Sequence, residues 1–161
     1  MGNKTLVYAK KVQDNLEESY KHLQRLDEAF KQLSKKYNFP ISKKDYKTIL
    51  NNANDVAFSD QIIYRFSKLQ DCMGAKLFKS ILLYQGENVY KPFLDILNQL
   101  EKMGIVAVDE WFELRDLRNE ISYDYAENEQ NGLNMLNTIY SLKPQLENIF
   151  QCLKLHHIQE D

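Results

Sequence analysis

The sequence predicts an all-α protein, an up-and-down bundle of four long helices with one or two extra short ones. Three observations point there. Apolar residues recur at three- and four-residue intervals along nearly the whole chain. Only five glycines and three prolines punctuate 161 residues, too few for the turns of a β-sandwich. No stretch alternates apolar and polar residues with the period of two that a half-buried strand requires. Apolar residues at 43% and charged residues at 27% are the balance of a globular chain, and the length suits one domain over residues 1–161.

In the first segment Ala9, Leu16, Leu23, Phe30 and Tyr37 are spaced seven apart, with Val12, Leu26 and Leu33 on the adjoining row. This heptad-like stripe predicts a helix of about 30 residues ending near Asn38-Phe39-Pro40, its stripe forming one seam of the bundle. Ser42-Lys43-Lys44-Asp45 resembles a capping box and starts a short helix through about Asn52. A third helix is expected from about Ser59 to Tyr84, on Ile62, Ile63, Phe66, Leu69, Met73, Leu77, Ile81 and Leu82, before Gln85-Gly86-Glu87-Asn88 breaks it. A fourth runs from about Lys91 to Met103, with Pro92 in its first turn and Gly104 just beyond its end. Asp109 is expected to cap a fifth helix reaching about Tyr123. The polar run from Ala126 to Gly132 reads as a loop, and a last helix spans about Leu133 to His156 with Pro144 inside it.

Net charge is −2, so the chain as a whole is no polycation built to coat nucleic acid. The charge is unevenly placed. Residues 1–50 hold 11 Lys/Arg against 6 Asp/Glu, the remainder 10 against 17, so the first helix carries a basic surface. Cys72 and Cys152 have no paired spacing and are expected to be free, buried thiols in a reducing compartment. No apolar run reaches the roughly 18 residues of a membrane span, and the first eleven residues contain no apolar segment of the signal-peptide kind. A cytoplasmic protein with no membrane contact is the expectation.

Most enzyme signatures are missing. None of His22, His156 or His157 has a glutamate three residues before it, as a di-iron helix pair needs. No phosphate-binding glycine loop, nucleophile elbow or zinc-protease motif occurs, and no cofactor is implied. Cys152 and His156, four apart, make at most half a metal site. The segment from Trp111 to Tyr125 is different. Leu114, Leu117 and Ile121 mark its apolar side, while Arg115, Arg118, Asn119 and Tyr123 crowd a polar band at the helix end. On spacing alone, a surface helix whose arginines pair with neighbouring acids is the preferred account of the band.

Arg118-Asn119-Glu120-Ile121-Ser122-Tyr123-Asp124-Tyr125 resembles the Arg-x4-His-x-Tyr signature of HEPN-domain proteins, in the bacterial toxin branch encoded beside minimal nucleotidyltransferase antitoxins. The resemblance extends to residues 64–71, to Met73-Gly74-Ala75-Lys76-Leu77-Phe78, to Leu100–Ile105 and to Glu110-Trp111, and covers roughly residues 55–150. It implies a HEPN-like four-helix bundle that forms a homodimer with the signature helices facing across the two-fold axis. It further implies a composite, metal-independent ribonuclease site shared between protomers. By position, Arg118 would hold the scissile phosphate, Asn119 would orient the cluster, and Tyr125 would match the tyrosine to which the nucleotidyltransferase adds AMP.

The chain departs from the signature at one place, where Tyr123 occupies the histidine position. A histidine titrates near 6.5 and exchanges protons at neutral pH, whereas a phenol near 10 stays protonated. Loss of a positioned acid/base removes about 10²–10⁴ of rate. Two functions follow from the resemblance: a toxin-like RNA endonuclease weakened or silenced at Tyr123, or a catalytically silent module that partners a nucleotidyltransferase and helps bind its substrate or nucleotide.

Overall fold

The computed structural model describes residues 2–124 and 128–160, the side chains of residues 122–124, 159 and 160 excepted. Among them the chain is all-α, with four long helices and two short ones. Helix α1, Gly2–Ser34, buries Val12, Leu16, Leu23, Leu26, Ala29, Phe30 and Leu33. All but Ala29 belong to the two heptad rows read from the sequence, with Ser19 buried at the one row position that lacks an apolar residue. The helix stops at Ser34 rather than near Asn38, and Tyr37 continues the row from the following turn.

Helix α2, Lys43–Leu50, is capped by Ser42, whose Oγ accepts from the Asp45 N–H at 3.1 Å. Helix α3 covers residues 53–84 and begins six residues earlier than Ser59. The asparagine-rich stretch is its cap: Asn52 Oδ1 accepts from the Asp55 N–H at 3.0 Å. In helix α4, Phe93–Lys102, Pro92 is the residue before the first turn rather than inside it. The helix ends at Gly104, whose φ of +75° suits glycine, with Ile105 N–H bonded back to Leu100 O and Gly104 N–H to Glu101 O at 3.0 Å each.

Helix α5, Val108–Asp124, is not capped by Asp109, which lies within its first turn. The Glu101 carboxylate, reaching over from α4, accepts the Val108 N–H at 2.7 Å and takes over that task. Helix α6, Glu129–Glu160, starts four residues before Leu133. Asn128 Oδ1 accepts from the Gln130 N–H at 2.8 Å, so Glu129 to Gly132 belong to the helix rather than to a loop.

The antiparallel α1–α3 seam sets the frame. At one end Asp55, buried, accepts from Tyr37 Oη at 2.7 Å and from Lys36 Nζ at 3.1 Å. At the other, Asn15 donates to Ser80 Oγ at 3.1 Å and Lys76 pairs with Glu18 at 3.2 Å. In the middle the Ser19 hydroxyl donates to Cys72 Sγ at 3.2 Å. Burial pushes the Cys72 thiol up to about 11, so it is chemically quiet at neutral pH. Cys152 breaks the expectation of two buried thiols: it faces outward from α6. Among the described residues, no helix is long and apolar enough to cross a membrane.

Candidate functional site

Helix α3 is not regular throughout. It is α-helical over Ala53–Cys72, widens to a π-turn over Met73–Leu77, and resumes as α-helix over Phe78–Tyr84. The π-turn faces Trp111 of α5. A Cβ on Gly74 would stand 2.8 Å from Trp111 Cζ2, so only glycine lets the indole edge lie this close to the α3 backbone. Trp111 is fully buried and packs at 4.6 Å, centroid to centroid, on Phe78, which stacks at 6.5 Å on Phe93 of α4. Among the described residues its Nε1–H has no hydrogen-bond partner.

Beside this aromatic wall lies an open cleft of about 480 Å³ between α3 and α5, lined by Asp71, Lys79, Phe93, Trp111, Arg115, Arg118 and Asn119. Arg118 is held at its rim by a forked pair with Asp71, Nε to Oδ1 at 2.8 Å and Nη2 to Oδ2 at 2.9 Å. The Asp71 carboxylate pushes the Arg118 guanidinium pKa up, and burial opposes it. The Arg115 guanidinium lies 5.6 Å from the centre of the Phe93 ring. Three cations thus meet one carboxylate around an apolar floor, an arrangement suited to an anionic, partly aromatic ligand.

Arg118 and Asn119 therefore stand together at the cleft, and Leu114, Leu117 and Ile121 are buried on the adjoining face of α5, Leu114 one turn before Arg118. The acid that pairs with Arg118 comes from α3 rather than from its own helix. Tyr123 lies within α5, its side chain outside the described part, and Tyr125 lies outside the described residues. No histidine lines the cleft. His22 sits in the α1–α3 seam, its Nδ1 2.9 Å from Arg65 Nη1. His156 meets Gln85, and His157 lies edge-on to Tyr84 with centroids 5.0 Å apart. Cys152 and His156 acquire no further ligands: among the described residues, no three His, Cys, Asp or Glu gather as a metal site.

Asp71, Lys79 and Phe93 are the cleft residues that sequence reasoning does not reach. A signal for two of them exists: Asp71 and Lys79 lie with Tyr64, Lys68 and Ala75 on one row of helical spacing, polar at every position but Ala75. No family model, curated protein or solved structure matches the chain.

Proposed function

We propose that this chain is the HEPN-like half of a toxin–antitoxin pair with a minimal nucleotidyltransferase, and that it binds RNA at the Arg118 cleft. The supporting observation is the cleft itself, in which the signature residues Arg118 and Asn119 share one wall with Arg115 and face Lys79. A phosphate presents the same planar pair of oxygens that Asp71 offers now, so it can take over the Arg118 fork while Lys79 offsets its charge. Two protomers facing across a two-fold axis would bring two such clefts together, and a cytoplasmic homodimer is the state in which the proposal operates.

Cleavage in this chain is slow or lost. Arg118 stays protonated and cannot act as the base, and the carboxylate nearest to it is committed to the ion pair. That no imidazole lines the cleft favours the second reading as the present-day role: a catalytically silent module that holds RNA, or the substrate or nucleotide of its nucleotidyltransferase partner. Tyr125 is the proposed acceptor of AMP from that partner.

An RNA-cleavage assay without added metal, on the parent, Arg118→Ala and Tyr123→His, separates the two. Cleavage by the parent that vanishes in Arg118→Ala means a ribonuclease that works without the histidine. A silent parent with activity appearing in Tyr123→His means an intact scaffold whose role is binding. Cleavage undiminished in Arg118→Ala, or a monomer by light scattering at micromolar concentration, overturns the composite-site proposal. Intact mass after incubation with ATP and the nucleotidyltransferase tests Tyr125: the added AMP must be absent from Tyr125→Phe.

A further inference from the structure

We infer that the Arg118 cleft is one end of a longer track for an unpaired RNA strand, with Tyr64 as an accessory base-stacking platform at the other. The inference rests on the RNA-binding reading of the cleft and adds to it a second subsite and a selectivity. Tyr64, Lys68, Asp71, Ala75 and Lys79 succeed one another at intervals of three or four residues, so they form one row on α3, and the last three of them already line the cleft. At about 1.5 Å per residue, Tyr64 stands about 10 Å along the axis from Asp71, and Lys79 about 12 Å beyond that. The row therefore leads from an aromatic residue, past the Arg118 fork, to a cation.

Tyr64 is suited to stacking. The residue is 50% exposed, and no neighbouring ring lies against it among the described residues. Two cations attend it, the Arg65 guanidinium at 5.3 Å and the Lys68 ammonium at 5.7 Å from the ring centre. Arg65 is fixed in place by His22, and its Nε is buried without a hydrogen-bond partner. A ring beside two cations offers a face for a base and charge for the phosphate that follows it. At the opposite end, Phe93 with Arg115 over it repeats the same pairing of ring and guanidinium. Asp60, one turn before Tyr64, puts negative charge at the outer end and bounds the track.

A base can stack on Tyr64 only if it is unpaired and unstacked from its neighbours, so the track selects single strands over duplex. The test is fluorescence anisotropy with a labelled RNA of about 12 nucleotides, single-stranded and as a duplex, on the full chain. The parent should bind the single strand at least about tenfold tighter than the duplex, and Tyr64→Ala should remove most of that preference, a loss within the range of an aromatic–base stack. Tyr64→Phe should bind as the parent does, and Lys68→Gln should flatten the salt dependence by about one phosphate contact. If Tyr64→Ala binds like the parent while Arg118→Ala loses binding, the track is overturned and the cleft stands. If Tyr64→Phe is as weak as Tyr64→Ala, the hydroxyl rather than the ring is responsible and stacking is overturned. A parent that binds neither RNA overturns the track together with the cleft reading on which it rests.

Discussion

The α1–α3 seam and the α3–α5 cleft share one helix and obey different rules. Along the seam most local preferences agree, the buried Arg65 Nε being left without a hydrogen-bond partner among the described residues. Two heptad rows bury Val12, Leu16, Leu23, Leu26 and Leu33, and the buried polar groups Ser19, Asp55 and Cys72 find one another across it. At the cleft, the same helix α3 widens into a π-turn, an indole N–H is buried without a partner, and three cations crowd one carboxylate. Sequences relax local consistency where a site has to be built, and π-turns recur at such places. The contrast is what singles out the cleft, since nothing else about its size would.

Truncating one fully buried side chain on each side tests how deep that contrast runs. Trp111→Ala should cost about 3–5 kcal/mol and Leu26→Ala about 2–5 kcal/mol, both read as the shift in urea midpoint. The two regions should separate under milder changes. Trp111→Phe removes the unpaired N–H along with part of the ring, so its cost should fall under about 2 kcal/mol. A cost equal to that of Trp111→Ala would mean that Nε1 has a partner and that the cleft wall is as well satisfied as the seam.

Gly74→Ala is the next largest. Helix propensity alone favours alanine by about 0.5–1 kcal/mol, but the new Cβ would stand 2.8 Å from the ring of a fully buried tryptophan. Overpacking of that kind costs about 1–3 kcal/mol, so the contact decides the sign and the variant should melt lower. For a chain of this size each kcal/mol is worth about 2–4 °C in Tm. A raised Tm would show that α5 moves aside freely at the π-turn.

The seam should answer to pH, and two of its titrating groups act at opposite ends of the scale. Burial, and then Arg65, hold His22 below its usual 6.5, so the folded state binds fewer protons there than the unfolded chain. His22 therefore contributes stability that is present above 6.5 and lost as pH falls through the lower folded value, a loss that His22→Asn should abolish. Tyr37 is pushed up to about 12, chiefly by its bond to Asp55, so the folded state keeps a proton that the unfolded phenol releases near 10. Its contribution is full below pH 10 and lost as pH rises to about 12; Tyr37→Phe should show none of that alkaline loss.

Legibility in the sequence follows the same division. A long seam imposes one period on many residues, and the α1 stripe is accordingly readable from Ala9 to Tyr37. Helix starts are harder, because polar runs such as Asn51–Asp55 and Asn128–Gly132 look like linkers until Asn52 and Asn128 are seen capping a backbone. Arg118 and Asn119 stand out because a single helix places them together. Asp71, Lys79 and Phe93 do not, because their nearness to Arg118 depends on the register of α3 and α4 against α5. Met73-Gly74-Ala75 carries no mark of the π-turn that helps set that register, and Gly74 gains its meaning only once Trp111 is opposite.

The smallest expected stability effect belongs to the residues with the largest expected role. Arg118 and Asp71 make a well-formed forked pair, yet their side chains remain 27% and 41% exposed, and water screens what they gain. Arg118→Ala and Asp71→Asn should each shift stability by less than about 1 kcal/mol, well under the changes at Trp111 and Gly74. Their effects on RNA should diverge. Arg118→Ala removes the fork and should abolish binding, whereas Asp71→Asn removes the carboxylate that a phosphate has to displace and should tighten binding, most visibly at low salt. Weaker binding in Asp71→Asn, with stability unchanged, would mean that Asp71 aims the guanidinium at the strand rather than competing for it. Destabilisation of either variant by several kcal/mol would instead place the pair with the seam, as a group that holds the bundle together and is not free to take a ligand.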